Sequence, residues 1–163
     1  MRRLGLALFI VPLLLAACTW VNHATALANT KDWQGLQVLA ERRIKAQPQD
    51  ADAWFFLGVA YFHAGRDAQA IEAFRQALQI NPKFTQAWQN LGVAYADAGQ
   101  YAQGIDADRK ALQINSQDAD AWYNLGTAYS QAGQQNHALA VYQHLKTLDP
   151  ALAQKLFDQI VPK

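Results

Sequence analysis

The sequence predicts an all-α protein built as a stack of paired helices, and three observations carry that prediction. Ala, Gln and Leu dominate the 163 residues while Ile, Val and Thr are sparse, a composition that favours helix over strand. The chain repeats with a period of 34: residues 51–84, 85–118 and 119–152 superpose Trp54, Trp88 and Trp122, together with Leu57/Leu91/Leu125, Gly58/Gly92/Gly126, Tyr61/Tyr95/Tyr129 and Gly65/Gly99/Gly133. Each unit reads as an amphipathic helix, a Gly-centred turn and a second helix, as in DAWFFLGVAYFHAG followed by RDAQAIEAFRQALQINP. At 52% hydrophobic, the chain has the apolar content for a true core.

The first segment, MRRLGLALFIVPLLLAAC, places two arginines before an apolar run from Leu4 to Ala17. As a helix that run reaches only about 21 Å, short of a ~30 Å hydrocarbon core, so residues 1–17 read as a signal peptide and not as a membrane span. Leu15-Ala16-Ala17-Cys18 closes it, and Cys18 is the sole cysteine. This quartet resembles the bacterial lipobox, which implies cleavage before Cys18 and thioether lipidation of it. The several acyl chains expected on such a cysteine would hold the protein stably on a membrane. Thr19 follows the cysteine where retention signals carry Asp, and by the same resemblance this implies an address on the periplasmic side of the outer membrane, lipid-anchored.

Residues 18–31 are either a tether from the lipid or a degenerate helix. Trp20 falls 34 before Trp54, yet His23 and Ala24 stand where Leu and Gly are expected. Residues 32–50 read as a degenerate half repeat, because DWQGLQVLAERRIKAQP puts Trp33 at the place of Tyr101 and Pro48 at 34 before Pro82.

The W-x-x-L-G-x-x-Y core of the three full units, with Ala70, Phe74, Ala77 and Pro82 downstream in the first, is similar to the tetratricopeptide (TPR) repeat. The resemblance implies a right-handed superhelical solenoid of helix-turn-helix repeats. Within each first helix the Trp, Leu, Gly and Tyr steps fall along one side, so these residues are expected in the core, with Gly letting a neighbouring backbone approach. Asn81-Pro82 and Asp149-Pro150 are expected to stop second helices.

The second unit departs from the pattern at Gly104, Asp108 and Ser116. Asp108 stands where Phe74 and Tyr142 stand, so it has a basic or hydroxyl partner, or sits in loosened packing, or contacts a partner molecule, or marks an error of register. Leu145 replaces a small Ala in the third unit, as suits a repeat that faces a terminal cap. Residues 151–161 space Leu152, Leu156 and Ile160 four apart, an amphipathic helix able to cover the last apolar face.

In the TPR family, partner peptides lie along the concave face made by the first helices. Counting one, two, five and eight residues from each tryptophan, that groove holds Phe55, Phe56, Val59 and Phe62; Gln89, Asn90, Val93 and Ala96; and Tyr123, Asn124, Thr127 and Ser130. The three phenylalanines either form an exposed apolar binding end or pack on residues 19–46. Asn90 and Asn124 offer a peptide backbone both donor and acceptor. The basic clamp with which some relatives hold chaperone C-termini is absent, since Phe55, Gln89 and Tyr123 occupy its places.

Charge and chemistry exclude other classes. The formal charge is +1, and loss of residues 1–17 with Arg2 and Arg3 leaves 12 bases against 13 acids, without the basic field that nucleic acids need. One cysteine allows no internal disulfide, and His23, His63, His137 and His144 show no ligand spacing, so neither metal nor cofactor is expected. His137 and His144 are expected as solvated helix residues. No Ser, Cys or Gly-rich motif stands near a plausible base, and Asp106 and Asp108 project to different sides of one helix. The expectation is a non-enzymatic, lipid-anchored scaffold that binds a protein or peptide segment, for assembly of an envelope complex such as a type IV pilus or outer-membrane or cell-wall machinery. The alternative is an assembly subunit acting by oligomerisation, its oligomeric state undetermined by sequence.

Overall fold

A computed structural model describes residues 10–161, with side chains from Thr19 onward. Nine helices and no strand occur among the described residues: α1 (Ile10–Asn29), α2 (Trp33–Ala46), α3 (Ala51–His63), α4 (Asp67–Ile80), α5 (Thr85–Asp97), α6 (Tyr101–Ile114), α7 (Ala119–Gln131), α8 (Gln135–Leu148) and α9 (Pro150–Ile160). Residues 18–29 belong to α1, and Thr30 and Lys31 form the turn that follows it. The segment expected as signal peptide lies partly outside the described residues, as does the side chain of Cys18.

Local chemistry sets the hairpins. Gly65, Gly99 and Gly133 adopt φ of 69°, 73° and 72°, the left-handed region that a Cβ disfavours. Each closes its helix with a bond from the next residue's N–H back to the repeat tyrosine: Arg66 to the Tyr61 carbonyl at 2.9 Å, Gln100 to Tyr95 at 2.7 Å and Gln134 to Tyr129 at 2.8 Å. Asp50 and Asp118 start α3 and α7 by accepting from the N–H of Ala53 and Ala121, both at 3.1 Å. Asp149 both ends α8 and caps α9, with Pro150 in the first turn. α6 ends at Ile114 without a proline, because Asn115 accepts from Gln117 N–H at 3.2 Å as Asn81 does from Lys83 N–H at 3.2 Å.

The repeat tryptophans depart from the expectation that they are core. Trp54, Trp88 and Trp122 are half-buried, and each indole N–H donates at 2.9 Å to a carbonyl in the turn before its helix, of Pro48, Pro82 and Ser116 respectively. They lock each hairpin to the preceding one while keeping a ring edge in water, as an amphipathic side chain prefers.

Successive helices pack against one another along the chain, and α3 also touches α5, and α5 touches α7. No such contact joins α4 to α6 or α6 to α8, so the first helices of the units converge on the inner side of the curve and the second helices splay on the outer side. The core follows the spacing of small and large residues. Ala53, Ala60, Ala87, Ala94, Ala121 and Ala128 are buried, and Phe74 packs its ring on Gly58, where an added Cβ would fall 2.5 Å from Cε1. Gly92 receives Asp108 in the same place, which settles its register.

The third unit solves the same packing problem differently. Tyr142 does not meet Gly126; it turns to Phe157 of α9 with ring centroids 5.0 Å apart, and Leu156 fills the space over Gly126. Leu145 is fully buried in the cluster that includes Leu156 and Ile160, so the large residue does face a cap. The buried stripe of α9 is Ala153, Leu156 and Ile160, while Leu152 is only half-buried.

Candidate functional site

The inner face of α3, α5 and α7 carries the positions singled out in the sequence, and all ten (Phe55, Phe56, Val59, Phe62, Gln89, Asn90, Val93, Tyr123, Asn124 and Thr127) are half-buried. They do not form one uniform surface. Phe55 packs 4.9 Å from Phe84 and 6.0 Å from Phe74, across the link between α4 and α5. Phe56 meets Trp20 of α1 edge-on at 5.6 Å and, with Val59, packs against Ala24, Leu36 and Ala60. Phe62 lies edge-on to His63 at 5.5 Å. The aromatic end of the face is therefore largely spent on packing, much of it against α1 and α2.

The amide-rich part is different. Among the described residues the side chains of Gln89, Asn90 and Asn124 make no hydrogen bond, while Tyr123 and Thr127 are already held by one residue of α9. Gln159 donates to the Tyr123 hydroxyl at 2.7 Å and accepts from the Thr127 hydroxyl at 3.1 Å. No sequence signal marks this contact, which joins positions 32 and 36 residues apart.

Between α5 and α7 the face opens into a hollow of ≈190 Å³. Val93, Ala96 and Asp97 line one wall, Tyr123, Asn124, Thr127 and Gln131 the other, and Asp108 of α6 comes up from beneath. Asp108 is 1% exposed, and its Oδ1 has no hydrogen-bond partner among the described residues. Burial pushes its carboxyl up to about 8. So the basic or hydroxyl partner allowed by the sequence does not materialise. A carboxyl shorter than the phenyl ring of Phe74 fills the equivalent position incompletely, which accounts for space on this side of the repeat. The sequence signal was the break in the aromatic series at residue 108.

Two larger hollows, ≈680 Å³ and ≈550 Å³, lie on the outer side where second helices splay. The first is edged by Arg75, Trp88, Asp106, Arg109 and Lys110, the second by Arg109, Trp122, Tyr129, His137 and His144. Part of each polar rim is already engaged: Arg109 donates to the Tyr129 hydroxyl at 2.7 Å, and Trp88 and Trp122 have their carbonyl partners. Hence size alone does not make them the better candidate. His137 and His144 are exposed as expected, yet not simply solvated, since His137 stacks on Tyr129 at 5.0 Å and His144 lies 4.2 Å from Trp122.

Among the described residues no group of three or more His, Cys, Asp or Glu is placed to hold a metal ion. No helix among them is long and apolar enough to cross a membrane. What the inner face can do chemically is hydrogen-bond an extended or helical chain through free amides and receive one side chain in the hollow.

The family model of the cytochrome c-type biogenesis protein H TPR domain matches residues 20–156. No curated protein matches the chain. Among solved structures, that of MamA superposes with a TM-score of 0.72 at 22% identity, covering 84% of this chain and 91% of that one. YrrB, a TPR protein with an unusual peptide-binding site, gives 0.71 at 16% identity over 86% and 82%. The Cut9–Hcn1 assembly of the APC/C gives 0.75 at 20% identity over 86% of this chain and 27% of that one. At these identities the likeness concerns the fold, which is that of a TPR solenoid.

Proposed function

From the premise that the chain belongs to the family of the cytochrome c-type biogenesis protein H TPR domain, as its match over residues 20–156 shows, we propose that it is a non-catalytic adaptor serving cytochrome c biogenesis in the bacterial envelope. It binds a segment of a protein partner along α5 and α7 and holds that segment near a membrane through a lipid on Cys18, on the periplasmic face of the outer membrane. The observation that carries the binding role is the row of half-buried, unbonded amides, Gln89, Asn90 and Asn124, beside the hollow over Asp108. These amides keep donors and acceptors open to water, and a partner backbone that replaces that water meets both at once.

The alternative, assembly through exposed apolar ends, has less to draw on, because α9 buries Leu156 and Ile160 and closes the last repeat. A photo-crosslinking residue at position 131, on the exposed edge of the hollow, used in intact cells and read by mass spectrometry, separates the two. Crosslinks to a different protein, lost with Asn90→Ala plus Asn124→Ala, are the expected result. Crosslinks only between copies of this chain, unchanged by Asn90→Ala, would overturn it. For the anchor, a Cys18→Ser variant should leave the membrane fraction and wild-type protein should incorporate labelled fatty acid; retention without label would refute lipidation.

A further inference from the structure

We propose that the hollow over Asp108 is a side-chain subsite of the groove, built to take the ammonium group of a lysine from the bound segment. The assignment rests on the groove being the binding face, and it adds what the partner must carry.

Four features select the ligand chemistry. The walls supplied by Val93 and Ala96 are apolar and suit a methylene stem, whereas the floor is a carboxyl that is 1% exposed and lacks a partner for Oδ1. Oδ1 lies against Gly92 and stays unpartnered whether or not the hollow is filled, so it is the other oxygen, which makes no hydrogen bond among the described residues, that a group from outside the chain would meet. The ionisable groups facing Asp108 are Asp97 from α5 and Tyr123 from α7, and no basic side chain lines the hollow. On its own helix Arg109 and Lys110 point to the outer hollow, where Arg109 bonds Tyr129. The local field therefore favours a cation.

Lysine fits better than arginine. Asp108 Oδ1 is pressed against Gly92, which leaves one carboxyl oxygen to meet a ligand. A guanidinium gains its advantage from two parallel bonds to both oxygens, while an ammonium is a compact charge that needs only one, and can spend its other protons on Thr127 and Asn124 at the rim. Binding also moves a proton. In the empty groove Asp108 is mostly protonated at neutral pH, so an entering ammonium displaces that proton to solvent and pairs with the carboxylate left behind.

The test uses a nonapeptide of alternating Gly and Ala with one central lysine, its acetyl-lysine counterpart, and amide chemical shifts of the full chain. The lysine peptide should shift Gly92, Asn124 and Thr127, with an affinity that rises about tenfold per pH unit from about pH 6 to 7.5 and levels above about pH 8. The acetyl-lysine peptide should bind at least about tenfold more weakly. Asp108→Asn, nearly isosteric, should weaken the lysine peptide and remove its pH dependence, and Asp108→Phe, which restores the repeat's aromatic, should fold and not bind it. Equal binding of both peptides, or unchanged binding to Asp108→Asn, overturns the subsite while leaving the groove in place. Shifts confined to Gln89 and Asn90 do the same. If neither peptide moves any amide of α5 or α7, the groove itself fails, and the subsite with it.

Discussion

Leu156 of α9 lies directly on Gly126 of α7, close enough that any Cβ at Gly126 would collide with its methyls. The contact takes the place that Phe74 takes on Gly58 two repeats earlier, so the last helix supplies from outside what the third repeat's own Tyr142 does not. Leu156 is fully buried, and its truncation to Ala should lower unfolding free energy by about 2–5 kcal/mol. Gly126→Ala, which pushes against Leu156 and Val141, should cost about 1–3 kcal/mol. Urea denaturation measures both, and because the residues share one contact the double variant should be less than additive.

The tryptophans are joint residues, which lowers what each contributes. Trp88 is half-buried and bonds the Pro82 carbonyl at 2.9 Å. Trp88→Ala should cost about 2–4 kcal/mol, at or below the range for a fully buried ring, and Trp88→Phe, which keeps the ring but loses the bond, about 1 kcal/mol. The same pair of measurements at Trp122 tests whether the Ser116 carbonyl serves as well as that of Pro82.

Arg43 ties the first helix to the repeats. Its Nε donates to Asp50 Oδ2 at 2.7 Å while its guanidinium lies 5.4 Å from the Trp20 ring centre, and Asp50 Oδ1 caps α3 at Ala53. Asp50→Ala removes both a cap and a mostly buried ion pair and should cost about 1–3 kcal/mol. Asp50→Asn keeps the cap and should cost less. Hydrogen exchange should quicken in α1 and α2 for either variant, and more for Asp50→Ala.

How much was legible depended on whether a residue's role is set within its own repeat. The 34-residue register and the Gly-centred turns are local, and their spacing names them. The half-burial of Trp54, Trp88 and Trp122 was not, because the same periodicity describes a ring sealed in the core and a ring bonded to a preceding turn. The inner face was read least well. Whether Phe56 greets a ligand or Trp20, and whether Thr127 is free or bound to Gln159, depends on helices that lie outside the repeating units. Asp108 announced itself as a misfit, but the hollow beside it belongs to three helices at once and has no sequence signature.

Asp108 should also leave a signature in the pH dependence of stability, in the direction opposite to that of an ion-paired carboxylate. Burial raises its folded-state value to about 8, above the unfolded value near 3.9. Below both values the group is protonated in either state and is neutral in the balance; between them the folded state holds the extra proton, so unfolding free energy falls as pH rises; above about 8 the full penalty of a buried carboxylate remains. The difference between wild type and Asp108→Asn isolates this group from the histidines and the other carboxylates. From about pH 5.5 to 7.5 wild type should lose stability relative to Asp108→Asn by up to about 1.4 kcal/mol per pH unit. Parallel curves for the two proteins, in denaturant titrations across that range, would show that the carboxyl ionises in the folded chain as readily as in water, and the hollow would then hold a solvated anion and not a neutral acid.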